Sequence, residues 1–365
     1  MSRAELVDWA LAERVAVAVA ARAGGPSAGT REVERDFGDE AVAAACAEAS
    51  TRVGAYSRLR PSAPPPGPES VERPEWARVA LGTLRELTAE LEATGAVALP
   101  GPAGALSCSV LGAATGLEAG TVVGYAATKV MGQYDLALLG GERPPRLLFV
   151  STNLAAAREQ LDEPPAAFLR WIALHETTHA FQFAAVPWLR DHIADLLRAL
   201  IAAAARRFEP RALVAALAGA LRSDPRTMAR RALGGELGRA IAGPEQAALL
   251  DRLQATMALI EGHAEHVMDA AADREDRAYG RLRRKLDARR LERNGLDAVI
   301  ARLLGLEAKL RQYRLGKGFC DGVVARGGVD ALNEAWAGPD SLPSLAELST
   351  PGAWLARVAA LREAA

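Results

Sequence analysis

The stretch Trp171-Ile-Ala-Leu-His175-Glu176-Thr-Thr-His179-Ala-Phe-Gln182-Phe183 carries H-E-x-x-H inside an apolar run. That run predicts a helix, on which His175 and His179, four apart, stand one above the other on one face. Two imidazoles so placed can bind one zinc ion, with Glu176 leaning over the metal's open side. A carboxylate there can take a proton from a zinc-activated water, which is the chemistry of a metallohydrolase. The bland alternative is a buried helix whose histidines are satisfied by backbone or carboxylate partners and whose Glu176 is solvated. The chain has only five histidines, so H-E-x-x-H is an uncommon coincidence.

Two histidines leave the site incomplete, because catalytic zinc usually takes three protein ligands and leaves one position to water. The third is sought in Ala258-Leu-Ile-Glu261-Gly-His263-Ala-Glu265-His266-Val-Met-Asp269, which holds two more of the five histidines. Glu261 and Glu265 share a helix face. Glu261 can therefore bind the metal while Glu265 accepts the free ring N–H of a ligating histidine. Glu261 is the preferred ligand; Glu265, His263 and His266 remain alternatives. With Glu261 on the metal, His263 could donate to a developing oxyanion, as could Tyr125 or Tyr134. Gly262 would let the two motif helices approach closely. Gln182, three past His179, could orient a ligand, but packing is the simpler reading. His192 reads as surface or structural. A di-metal carboxylate bundle needs a second E-x-x-H, and none follows Glu261 or Glu265.

The elements that must position these groups are mostly helices. Half of the residues are hydrophobic and aromatics make up 5%, which favours helices packed through small side chains. Helical patterns run over about 4–22 and 30–59, with a break near Gly38, and Val71-Glu-Arg-Pro-Glu-Trp76 leads into another that runs to about Thr94. The metal-binding helix begins at Glu163-Pro-Pro165, with proline at an allowed early position. Pro187 interrupts it, and helix resumes from Trp188 to Phe208. More helices are expected at Arg211–Leu221, Met228–Leu237 and Pro244–Asp273. The charge-dense 273–293 reads as a solvated helix. Between 95 and 152 the composition shifts to Gly, Val, Leu and Ser. There Leu106–Val110 and Thr121–Tyr125 are expected as strands or buried loops, and Arg146–Val150 is the best strand candidate. Residues 146–151, just before the metal-binding helix, are either a sheet edge onto which an extended peptide can add or a plain core strand.

The expected division is an N-terminal helical region (1–60), a proline-rich linker (61–70) and a catalytic part (71–365). Within the last lie a small β-containing part at about 95–152, zinc-site helices at about 164–185 and 244–272, and a helical C-terminal part from 273. Acids and bases nearly cancel, 45 against 44, which argues against a dedicated nucleic-acid binder. Three scattered cysteines suit a reducing compartment and argue against a disulfide framework and a thiolate zinc site. Neither a signal peptide nor a membrane span is read, so the expected location is the cytoplasm.

H-E-T-T-H-A-F-Q-F followed by E-G-H-A-E-H-V-M-D resembles the zincin-like zinc-dependent metallopeptidases of actinobacteria and related bacteria. Some of these are labelled as associated with coenzyme F420 biosynthesis, a link that no residue here supports. The resemblance extends through Arg73-Pro-Glu-Trp76, Gly132-Gln-Tyr-Asp135, Gln312-Tyr-Arg-Leu-Gly316 and Leu342-Pro343 to Trp354. It implies a mainly α, zincin-like fold (α+β) whose H-E-x-x-H helix packs beside a small sheet. It also implies His175, His179 and a downstream Glu as ligands, with Glu176 as catalyst. The expected protein is a hydrolase with one zinc per chain, acting on a peptide or small amide. The alternatives are an inactive zincin-derived metal-binding or scaffold module, and a helical interaction protein with core histidines.

Overall fold

The computed structural model describes residues 6–22, 24–93, 102–138, 143–207, 244–272, 279–285 and 306–364. The helices expected at 211–221 and 228–237 lie outside these residues, as does most of 273–293. Three helices, α1 (Trp9–Arg22), α2 (Thr30–Phe37) and α3 (Asp39–Ser57), precede strand β1 (Pro68–Val71). Then come α4 (Arg73–Ala93), α5 (Pro102–Ala127), β2 (Gly132–Asp135), β3 (Arg146–Val150) and α6 (Ser151–Leu161). The H-E-x-x-H helix is α7 (Pro165–Ala185), followed by α8 (Pro187–Arg207) and α9 (Pro244–Ala271). A helical stretch at 279–285 precedes α10 (Leu306–Asn333), two 3-10 turns, α11 (Leu345–Leu348) and α12 (Pro351–Ala364). The fold is mainly helical around one small sheet.

The sheet has the order β1-β3-β2, with β1 parallel and β2 antiparallel to the central β3. Every residue of β3 after Arg146 is buried, and alternate side chains serve different cores. Leu147 and Phe149 join the core made with α3, α6 and α7. Leu148 and Val150 join the core made with α1, α4 and α5. A third core lies among α8, α9, α10 and the C-terminal elements. β3 is thus the core strand of the two readings, and the edge beside α7 is β2.

The strands expected at Leu106–Val110 and Thr121–Tyr125 are corrected: both lie in the single helix α5. A Cβ on Gly116, Gly120 or Gly124 would come within 2.5, 2.4 or 2.7 Å of a carbonyl oxygen of α1 or of Asp8 just before it. Only a bare helix face admits that approach, and the four-residue spacing of the glycines is helical.

α7 starts with Pro165 at its first position, where a missing N–H costs nothing. It is buried nearly all round, from Phe168 to Gln182, as a helix at the centre of a protein must be. Val186 caps its end and Pro187 opens α8. α3, from the N-terminal region, lies along α7: a Cβ on Gly54 would meet the Phe181 ring at 3.2 Å. Among the described residues no helix is long and apolar enough to cross a membrane.

Candidate metal centre

His175 and His179 project from consecutive turns of α7 and meet Glu261 from α9. Their Nε2 atoms are 3.2 Å apart, and Glu261 Oε2 lies 3.6 Å from the first and 3.5 Å from the second. Donors bound tetrahedrally to zinc at about 2.0–2.1 Å stand roughly 3.3 Å from one another, so the three edges nearly match that geometry. Among the described residues this is the one group of three or more His, Cys, Asp or Glu side chains that could hold a metal ion.

The protonation state of His179 follows from its neighbours. Gln182 donates from Nε2 to the Ile260 carbonyl oxygen, 2.9 Å away, which can only accept. The Gln182 Oε1 must then face His179 Nδ1, at 2.9 Å, and accept its proton. That tautomer leaves the Nε2 lone pair for a metal. Burial opposes charge on His179, yet the hydrogen bond and charge of Glu261, with Glu176 and Gln182 adding, raise its pKa from 6.5 to about 9. The anionic surroundings demand a cation at Nε2, which a metal can supply.

Glu176 is buried against β2. A Cβ on Gly132 would fall 2.7 Å from its Cγ and 3.0 Å from its carboxylate carbon and Oε1, so only glycine leaves room for the carboxylate there. The Val150 N–H bonds the Met131 carbonyl. In the antiparallel register, residues 133 and 135 likewise pair with β3, while Gly132 and Tyr134 turn their backbone N–H and C=O to the free edge. The same strand face looks onto α7: Tyr134 stacks on Phe183, centroids 5.7 Å apart and planes 12° apart.

The other sequence candidates go elsewhere. His266 stands apart from the cluster; its Nε2 meets the Tyr56 hydroxyl at 2.8 Å and its Nδ1 meets Asp321 at 2.7 Å. His263 is fully buried behind His179, with Nδ1 accepting from Gln182 at 2.9 Å and its ring edge-on to Trp336. Burial, with the charges of His266 and His179, lowers its pKa to about 3, so it is neutral. Glu265 forms an ion pair with Arg283 at 2.7 Å; the Nδ1 of His179 is held by Gln182 in the place expected for Glu265. Tyr125 lies on α5, across the sheet from α7, with Lys129 over its ring. His192 packs edge-on to Trp188, away from the cluster. Of the two readings of Gln182, orienting or packing, the bond to His179 Nδ1 favours the first, whereas packing was the simpler expectation. Gly132 was legible only within a weak motif match.

Residues 7–355 match a family model described as a zincin-like metallopeptidase. A crystal structure from Chloroflexus aurantiacus, presented as a candidate hydrolase with a novel fold, is similar along nearly the whole length. It is 29% identical, with a TM-score of 0.68, covering 97% of this chain and 99% of that one. No curated protein matches. The two-histidine, one-glutamate cluster thus stands in a chain matched over almost its entire length, and the chain belongs to the zincin-like metallopeptidase family.

Proposed function

We propose that the protein is a single-zinc hydrolase of amide bonds, with His175, His179 and Glu261 as ligands and Glu176 as general base. The observation that carries this is the convergence of three donors at near-tetrahedral spacing beside the Glu176 carboxylate. Bound there, zinc would supply Lewis acidity, acidifying water and polarising the scissile carbonyl. Glu176 would accept the proton of the attacking water on its carboxylate and hand it to the leaving nitrogen. A side chain at position 132 would crowd this carboxylate, so Gly132 leaves it room to take up and pass on the proton. An extended substrate would add to the free edge of β2 through the N–H and C=O groups of Gly132 and Tyr134, which brings a peptide bond past Glu176. The same backbone recognition suits a peptide better than a compact small amide.

Elemental analysis paired with turnover tests the reading. The wild type should hold about one zinc per chain and cleave members of a peptide library. Glu176→Gln should hold the same zinc and lose activity at least about a hundredfold. Zinc that survives Glu261→Ala undiminished, or peptide cleavage undiminished in Glu176→Gln, would overturn it.

A further inference from the structure

Arg190, in the first turn of α8, stands by the far end of β2. Its Nη2 donates to the Ala137 carbonyl at 2.6 Å, two residues past the strand. Among the described residues no carboxylate lies within ion-pair distance of it. The rest of the guanidinium is therefore an anchored fork of donors with no anion on it, in a half-buried setting. Ala137 itself, fully buried and at φ 45°, carries the carbonyl that holds the fork in place.

Between this arginine and Glu176 lies the free edge of β2. Tyr134 faces α7 on that edge, and its hydroxyl has no hydrogen-bond partner among the described residues. Burial pushes the hydroxyl up to about 12, with the charge of Arg190 opposing the rise. The Tyr134–Phe183 stack forms an apolar shelf, and one end of that shelf is cationic. The glutamate base marks the other end of the strand.

We infer that Arg190, held at the end of the strand that carries Tyr134, is the anchor for a substrate carboxylate. This rests on the reading of the site as a peptide hydrolase. An extended chain advances about 3.3 Å per residue, so a group at the end of β2 meets the substrate two to four residues from the bond beside Glu176. The carboxylate has two possible sources. A substrate running parallel to β2 would present its C-terminal carboxylate there, making the protein a carboxyl-end trimming enzyme. One running antiparallel would present an acidic side chain on the amino side of the scissile bond. Both use the same charge-assisted, forked recognition that arginine provides.

Equilibrium binding to zinc-loaded Glu176→Gln protein tests this without turnover. The probes are N-acetylated alanine–phenylalanine hexapeptides in three forms: free C-terminal acid, C-terminal amide, and amide with one Glu placed at each position in turn. Either the free acid or one Glu-containing amide should bind at least about tenfold tighter than the plain amide. The winning peptide identifies the carboxylate's source. Adding Arg190→Met should abolish that preference while leaving the plain amide's affinity unchanged, and Arg190→Lys should restore part of it. Tyr134→Phe should reduce the preference without abolishing it. Equal binding of all three forms overturns the inference, as does a preference that survives Arg190→Met. In either case cleavage of neutral amidated peptides by the wild type would leave the hydrolase reading standing. No binding by any peptide and no cleavage would sink both.

Discussion

At the scale of single residues, Gln182 ties the two halves of the centre together. Its amide is pinned by the carbonyl of Ile260, the residue before Glu261, and passes that constraint to His179 Nδ1. One side chain thereby fixes a tautomer on α7 from a backbone group on α9. Gln182→Leu keeps the volume and removes the bond, so zinc affinity should fall about 10- to 100-fold, read by competition with a chelator. The loss should come with a stability decrease of about 1–3 kcal/mol, since the buried Ile260 carbonyl and His263 lose their donor. Unchanged zinc affinity would reduce Gln182 to packing. His175, Glu176 and His179 were readable from four-residue spacing because the helix period alone puts the histidines together. The place of His263 was not, because an i+2 position on α9 says nothing of what lies behind it.

At the scale of elements, the placement of Glu261 depends on how closely α9 and α10 cross. A Cβ on Gly262 would come within 2.0 Å of the Gly316 carbonyl carbon, and one on Gly316 within 1.8 Å of the Ala258 oxygen. Gly262 does permit a close approach, but the partner is α10 and not the H-E-x-x-H helix. Gly262→Ala should push the helices apart, destabilise the protein by at least about 2 kcal/mol in denaturant unfolding and lower its zinc content. Gly318→Ala, where an added Cβ meets nothing within 4 Å, should instead stabilise by about 0.5–1 kcal/mol. If the two alanine variants behave alike, the crossing does not position the ligand. α5 teaches the complementary lesson. Its Gly, Val, Leu and Ser content suggested strands or buried loops, yet Gly116, Gly120 and Gly124 are spaced for a helix face pressed onto the backbone of α1 and of Asp8 just before it. Composition was outweighed by a periodicity that was present in the same letters.

At the scale of the whole molecule, three elements distant in sequence, β2, α7 and α9, are held around one buried electrostatic centre. In the metal-free protein the cation at that centre is the proton of His179, whose folded pKa, about 9, is above its ordinary 6.5. A raised histidine pKa contributes stability that is complete below about pH 6.5 and is lost as pH climbs to about 9. Thermal melts of chelator-stripped protein should therefore fall across that window. Zinc-loaded protein, whose His179 is neutral at every such pH, should not show the same fall, and zinc affinity should rise over the same range. Parallel pH profiles of the two forms would contradict the assignment of His179 to the metal.

The sequence by itself determined the pairing of His175 and His179 next to Glu176 on one helix, the expectation that Glu261 joins them, and the mainly helical character. Each follows from local periodicity and from the ligand chemistry of His and Glu, which need no knowledge of distant neighbours. Only the tertiary structure decided that β2 and not β3 is the edge beside Glu176. It alone placed Gln182 as the support of His179, took His266 to Tyr56 and Asp321, and left Arg190 poised at the end of the strand. Sheet order, the side of a helix that meets a partner, and the charge left unmatched beside a strand are set by packing between segments far apart in the chain. No window of neighbouring residues encodes them.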